Sequence, residues 1–245
     1  DWVIDFNDMP LEQAAGYELP FAHAEKHVKP ERMKNKEKSR KEKWWLFGRP
    51  RPIMRKALEG LKCYFCLPKI AKYTCFRAID ISILPCEANM VIAGDDFFVL
   101  GVLNAKPHLD WVAAQSSTLK SDTRYTSTTC FETFPFPNTA KEIHKEKVRE
   151  IMGELEKFRT DEAILCKCTI TRLYNKFFSE PSSRLSKLHK KLDKAVCGCY
   201  GWKYSETGSF NENLFLLNRQ KAESETDCAT VSKIRKSPVF TVIPA

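Results

Sequence analysis

Apolar residues recur in this chain at two periods, and the change from one to the other falls near residue 138. Between Leu61 and Pro137 they form short runs rich in β-branched and aromatic residues, at 61–67, 73–83, 89–93 and 96–103, punctuated by Pro68, Pro85, Gly94-Asp95-Asp96 and Pro107. Runs of that length bounded by turn residues predict the strands of a mixed sheet. Leu109–Ala114 predicts the opening of a helix, and the polar stretch Gln115–Arg124 a loop or hairpin. From Ala140 to Lys221 the period becomes helical. Val148, Ile151, Met152, Leu155 and Phe158 share one stripe, and Leu185, Leu188, Leu192, Val196 and Tyr200 another, as expected of a small all-α bundle.

The ends of the chain follow neither pattern. Residues 25–43 hold nine Lys or Arg against four Glu, with Val28 and Met33 as the main apolar interruptions. From Pro30 onward this predicts a solvated helix, supported by Glu and Lys at helical spacing, whose excess charge either lies along phosphates or merely keeps a connector soluble. Trp2-Val3-Ile4 begins abruptly, in the manner of a strand end belonging to a longer polypeptide. Beyond about Ala222 the chain is polar and then irregular, which predicts partial disorder. The expected organisation is a connector with a basic helix at 1–43, a mixed α/β domain at 44–138, a helical domain at 139–222 and a tail at 223–245. The fold class is α+β.

Composition narrows the function. The 245 residues are 43% hydrophobic and include 16 Phe, enough for a real core and two packed units. A net charge of +9 favours a polyanionic partner, nucleic acid or an anionic membrane surface. No apolar run approaches the roughly 20 residues that span a bilayer, and the acidic start at Asp1, Asp5 and Asp8 lacks the form of a signal peptide. A cytoplasmic protein is expected. In that setting the ten cysteines are expected to be thiols. Cys63 and Cys66 have the spacing of a zinc knuckle, but the motif has no second knuckle and lies in a strand-like run, so small buried hydrophobes are the favoured reading.

Catalytic signatures are missing. The chain has no G-x-G, no Pro-Pro pair of an amino-methyltransferase motif and no G-x-x-x-x-G-K. Leu84-Pro85-Cys86-Glu87 resembles the Pro-Cys nucleophile of cytosine-C5 methyltransferases, yet without a cofactor loop it reads as a loop between strands. Asp95-Asp96 lacks the acid-x-Lys partner of a nuclease and reads as a β-turn. His23, His27, His108, His144 and His189 form no triad; His23 and His27 stand i,i+4 but lack a third ligand.

Two segments carry a resemblance: Trp44-Trp45-Leu46-Phe47-Gly48-Arg49-Pro50-Arg51-Pro52, and Arg124-Tyr125-Thr126-Ser127-Thr128-Thr129-Cys130-Phe131-Glu132-Thr133-Phe134-Pro135-Phe136-Pro137. Together with Trp2–Asp8, Arg55, Pro68-Lys69-Ile70-Ala71-Lys72, Phe98–Asn104, Leu119–Thr129 and the C-terminal Arg172-Leu173-Tyr174, Leu192-Asp193 and Tyr200-Gly201-Trp202, they resemble the target-recognition and C-terminal regions of MmeI-like adenine DNA methyltransferases. The resemblance implies a DNA-reading fragment. The catalytic domain, with its S-adenosylmethionine and any Mg²⁺, would lie outside it, in cis or in trans, and the partner would be double-stranded DNA rather than a membrane. A freestanding specificity subunit or a protein-interaction module are the competing readings.

A reading domain grips phosphates and presents donors and acceptors to base edges. Lys69, Lys72, Arg77, Lys106 and Arg124 are the phosphate candidates, and Lys120 could serve either task. By the resemblance, base reading falls to Ser116, Thr118, Lys120 and Asp122, with Glu87, Asn89 and Asp95 on a neighbouring turn. The bland alternatives are that Ser121-Asp122 caps a turn, that Lys120 is solvated, and that Tyr125 packs beneath the loop while Arg124 ties it to a carboxylate. Trp44, Trp45, Phe134 and Phe136 are expected in a core or a domain seam.

Overall fold

The computed structural model describes residues 2–119, 122–229 and 241–244. By its internal contacts the chain forms two compact units, 1–53 and 54–245.

The first unit consists of short helices, α1 (Leu11–Ala15), α2 (Glu18–His27), α3 (Lys29–Met33) and α4 (Lys38–Glu42). Phe6, Ala14, Ala24 and Trp44 form its core, edged by Phe21 and Trp45. The Trp45 indole N–H donates to Met9 O at 2.9 Å, which ties the end of the unit to its beginning. The tryptophan pair is therefore core material. The basic segment is not one long helix. It breaks after Met33, and Glu37 N–H is captured by the Asn35 side chain at 2.9 Å. Each short piece keeps local pairs such as Lys29–Glu25 at 2.7 Å and Arg40–Glu37 at 2.7 Å. Trp2–Ile4 forms no strand.

Helix α5 (Pro52–Leu58) leads into strands β1 (Cys63–Pro68), β2 (Ile70–Ala71), β3 (Arg77–Asp80) and β4 (Asn89–Ala93). Then come α6 (Phe97–Asn104), α7 (Lys106–Gln115), the hairpin β5 (Ser117–Leu119) and β6 (Asp122–Arg124), and a π-helical turn over Ser127–Phe131. The long helices α8 (Glu142–Leu165), α9 (Ile170–Ser179), α10 (Arg184–Tyr200) and α11 (Asn211–Ala229) follow, and β7 (Thr241–Pro244) is the last strand described.

One sheet has the order β3-β1-β4-β7 and a smaller one β2-β6-β5. Every pairing is antiparallel, where the run pattern had suggested a mixed sheet. The larger sheet is covered on both faces: Phe65 and Leu67 join the main core, and Tyr64 joins a smaller cluster with Met54, Leu58 and Val91. Side chains alternate across a strand, so Cys63 packs toward the first cluster and Cys66 toward the second. Two thiols on opposite faces cannot close on one metal ion. The main core runs from Phe65 to Leu214 without a break at residue 138, so strands and long helices share it.

The run at 96–103 is a helix, not a strand. Phe98 through Asn104 are all buried, and a helix buried on every side has no polar face from which its period could be read. Its one local signal is Asp96, whose carboxylate caps the helix by accepting from Phe98 N–H at 2.8 Å and binds the Arg149 guanidinium at 2.8 and 3.0 Å. The expected stripes of α8 and α10 are confirmed by the burial of Val148, Met152, Leu155, Leu185, Leu188, Leu192 and Val196. On the tail, α11 continues to Ala229, residues 230–240 lie outside the described residues, and β7 pairs with β4.

Arg159 of α8 is fully buried. Its guanidinium pairs with Glu156 and donates to Phe76 O at 3.2 Å, Asn104 Oδ1 at 3.3 Å, Tyr174 OH at 2.9 Å and Cys75 Sγ at 2.9 Å. Glu156 also accepts from Arg77 Nε at 2.6 Å, and the Tyr174 hydroxyl meets His189 Nε2 at 2.8 Å.

Helices α6 and α8 meet at Gly101. A Cβ there would overlap the Val148 side chain and crowd Leu192 Cδ1 at 3.3 Å. Overpacking of this kind costs about 1–3 kcal/mol. Gly101→Ala should therefore lower the midpoint of chemical unfolding, and an unchanged midpoint would show that the two helices are free to move apart.

Candidate nucleic-acid interface

Pro68-Lys69-Ile70-Ala71-Lys72 is the segment on which the candidate site is assembled. The chain leaves the large sheet at Pro68 and enters the small one at Ile70, so the intervening Lys69 serves both. Its N–H donates to Ala88 O at 2.8 Å, its carbonyl accepts from Tyr125 N–H at 2.9 Å, and its ammonium donates to Glu87 O. One residue thus staples the turn before β4 to the strand that leaves the hairpin. Both segments hold the candidate base readers, and Lys69 brings them together.

Glu87 is exposed, and Asn89 is half-buried with its amide on Cys86 Sγ at 3.3 Å. Asp95 lies beyond the other end of β4, where it accepts from Lys62 N–H, and so stands apart from the group. In the small sheet Ile70 and Ser117 both pair with Arg124, Thr118 with Thr123 and Leu119 with Asp122. By alternation Ser117, Leu119, Asp122, Arg124 and Ile70 share one face. That face is open: Ile70 is 44% exposed and Leu119 53%. Their exposure is a feature that polar-residue reasoning missed, and it would supply apolar contact beside Asp122 and Arg124. Ser116 ends α7, its N–H donating to Val112 O at 2.8 Å, and Thr118 is exposed. Lys120, with Ser121, lies outside the described residues.

The hairpin is anchored from below. Tyr125 is 2% exposed, lies edge-on to Phe76 at 5.2 Å, and its hydroxyl reaches His108 Nε2 at 3.2 Å. Its role is structural. Arg124 is exposed and makes no ion pair among the described residues.

The cations divide into two groups. Arg77 binds Glu156 and donates to Thr160 Oγ1 at 2.9 Å, and Lys106 binds Asp110 at 3.0 Å, so both are engaged in internal pairs. Lys72 is exposed, lies over the Tyr73 ring at 5.2 Å and donates to Asn175 Oδ1 at 2.8 Å. The Tyr73 hydroxyl donates to the same oxygen at 2.8 Å. Asn175, on α9, was not a sequence candidate, since nothing local in sequence connects it to Lys72.

Lys72 and Thr123 also border a cavity of about 580 Å³ whose further lining includes Tyr174, His189, Lys190 and Asp193. Burial holds Asp193 up at about 6 despite the Lys106 backbone N–H it accepts. Burial also keeps His108 neutral, lowered to about 4, and His189 lowered to about 3, where the Arg159 charge adds to the effect.

Residues 14–138 match the family described as MmeI, target recognition domain. The chain belongs to this family. The match ends just past Phe131–Pro137 and encloses both stapled segments. DNA methyltransferase A of Bacillus subtilis (strain 168) is 32% identical over 117 residues, a stretch covering 48% of this chain and 12% of that protein. A solved structure of the Type IIL restriction-modification enzyme MmeI in complex with DNA superposes with a TM-score of 0.61 at 17% identity, over 88% of this chain and 28% of the other. The likeness shows that the long helices as well as the family's recognition domain follow a known fold. The chain spans a small part of the length of both proteins.

The buried histidines set a pH dependence. Unfolded, each takes up a proton near its ordinary pKa of 6.5; folded, only near 4 and 3. Stability present at pH 7 is therefore lost as pH falls through 6.5 toward 4, on the order of several kcal/mol for the pair. Asp193 opposes this, since a raised carboxyl contributes stability below its folded value of about 6 that is lost as pH rises through it, but the histidine shifts are together larger. Urea unfolding should have a lower midpoint at pH 4.5 than at pH 7, by a smaller margin in His189→Gln. Equal midpoints would mean that the histidines are protonated in the fold.

Proposed function

We propose that this chain is the DNA sequence-recognition part of an adenine-directed DNA methyltransferase, or of a restriction-modification enzyme in which that activity is fused to a nuclease. A separate catalytic domain, in the same polypeptide or a partner chain, would bind S-adenosylmethionine and, where the enzyme also cuts, Mg²⁺. No residue of this chain is assigned to either. Such a protein acts on cellular DNA, in the bacterial cytoplasm; no helix among the described residues is long and apolar enough to cross a membrane.

The observation that carries the reading is the Lys69 staple, which holds the 87–89 turn beside the 116–124 hairpin. Family membership and the net charge of +9 support it. In this mechanism Lys72, just past β2, and Arg124, on the neighbouring β6, both exposed, neutralise phosphates and fix the register of the duplex. Lys69 adds charge close to its own staple. Glu87, Asn89, Ser116, Thr118, Lys120 and Asp122 then offer donors and acceptors to base edges. Asn can pair bidentately with adenine, Lys can donate to guanine and a carboxylate can accept from cytosine. Arg77, paired with Glu156, ties the larger sheet to α8, and Lys106 is paired with Asp110 within α7, so neither is assigned a direct contact.

Selection of this chain on a randomised duplex library at low and moderate salt, followed by sequencing, tests the proposal. The expected result is weak, salt-sensitive binding with an enriched short motif that disappears when residues 116–122 are scrambled. Binding without enrichment would leave only a basic clamp, and no binding at either salt would favour a module that acts through protein contacts. On the enriched duplex, Lys72→Ala and Arg124→Ala should each flatten the slope of log affinity against log salt by about one and leave the motif unchanged. A changed motif would instead make the altered residue a base reader.

A further inference from the structure

Helix α10 buries Leu185, Leu188, Leu192 and Val196 on one side and exposes Lys187, Lys191 and Lys194 on the other. The three lysines stand at i, i+4 and i+7, one row along the helix. Lys190 flanks the row, half-buried and paired with Glu206 at 2.6 Å. The helix carries one acid, Asp193, and that carboxylate is turned inward to accept from Lys106 N–H at 2.7 Å. No i,i+3 or i,i+4 acid relieves the exposed row.

Ordinary surface helices are not arranged in this way. On α8, Glu142, Glu146 and Glu150 alternate with Lys145, Lys147 and Arg149, and pairs such as Arg149–Glu146 at 3.0 Å follow from that alternation. On α10, Lys187 with Lys191 and Lys190 with Lys194 repel at i,i+4, an arrangement that opposes helix formation. Such a row is relieved by an external anion. Lys187 to Lys194 spans about 10 Å of helix, and each DNA strand presents a charge every ~3.4 Å along the axis, so the row matches about three phosphates.

Its position relates it to the recognition sheet. Lys190 and Asp193 of α10 line the same cavity as Lys72 and Thr123, so α10 stands near the exposed Lys72 at the end of the small sheet's first strand. We infer that the exposed row Lys187, Lys191 and Lys194 is a second phosphate-binding track, lying outside the family's recognition domain, which receives the backbone of the same duplex. This rests on the reading of the small sheet as the DNA-recognition surface. The track adds affinity and contributes nothing to the choice of sequence.

The test is Lys187→Gln/Lys191→Gln/Lys194→Gln in the full chain, bound to the selected duplex and to a scrambled one over a series of salt concentrations. The triple variant should bind both duplexes at least about 10-fold more weakly, with a salt slope lower by about 2–3. The ratio between the two duplexes should not change, and thermal unfolding should occur at the same temperature or higher, since like-charge repulsion has been removed. Unchanged affinity and slope would overturn the track, as would a loss accompanied by a lower unfolding temperature. Polyglutamate distinguishes an acidic protein partner: if the substitutions abolish its binding and leave DNA binding intact, the track is overturned as a DNA site. Wild-type chain that binds duplex through the lysine row with no preferred motif would sink the sequence-reading proposal and leave the track standing. Wild-type chain that binds no duplex would overturn both.

Discussion

A buried guanidinium holds the larger sheet and the long helices in one arrangement. Arg159 is 0% exposed, and its charge is compensated by Glu156 one helical turn away. Burying such a pair is costly unless the remaining donors and acceptors find partners. Here Arg159 reaches β3 through the neighbouring Phe76 carbonyl, α6 through Asn104, and α9 through Tyr174. Tyr174 passes the connection to His189 on α10. Arg77 closes it from the sheet side by sharing Glu156. Removing one partner would strand a charge in an apolar interior, so the elements hold one relative placement where an apolar core would tolerate several. That placement brings Asn175 to Lys72 and Tyr73.

The same logic separates the cations that serve the fold from those left to meet a partner. Arg77, Lys106, Arg149 and Arg159 face carboxylates contributed by neighbouring elements or by the next helical turn. Lys72, Arg124 and the outer row of α10 are exposed and make no such pair among the described residues. A positive charge held in water by a neutral amide, as Lys72 is by Asn175, keeps its attraction for phosphate and loses part of its freedom. That is the preorganisation expected of a backbone contact rather than of a structural ion pair.

How much of this was legible in the sequence depended on whether the deciding interaction was local. Strands β1 and β4 follow from short apolar runs bounded by turn residues, the hairpin from a polar stretch, and the two helical stripes from their period, since a polar side sets off the apolar one. Helix α6 does not: Phe98 to Asn104 are buried all round, and only the capping role of Asp96, which passes for part of a turn, marks it. The segment from Lys29 to Glu42 has good helical charge spacing, yet it lacks an apolar face long enough to hold one helix together. In the candidate site, the turn and the hairpin could be named from resemblance, but their junction at Lys69 arises from backbone hydrogen bonds between segments far apart in the chain. Arg77 looked free because Glu156 lies 79 residues away. Lys106, by contrast, had its partner in view at Asp110, four residues on, so that pairing could have been read from the sequence.

The small sheet combines a rigid base with an open edge. Its strands are two or three residues long and could not hold a hairpin by themselves. Order comes instead from the ends, through Lys69 beneath β6 and through Tyr125 locked against Phe76 and His108. The side chains of Thr118, Leu119 and Arg124 contribute little to that anchoring, since all are exposed. Exposed positions away from such anchors usually change stability by less than about 0.5 kcal/mol on substitution. The hairpin edge can therefore vary in sequence while its position stays fixed.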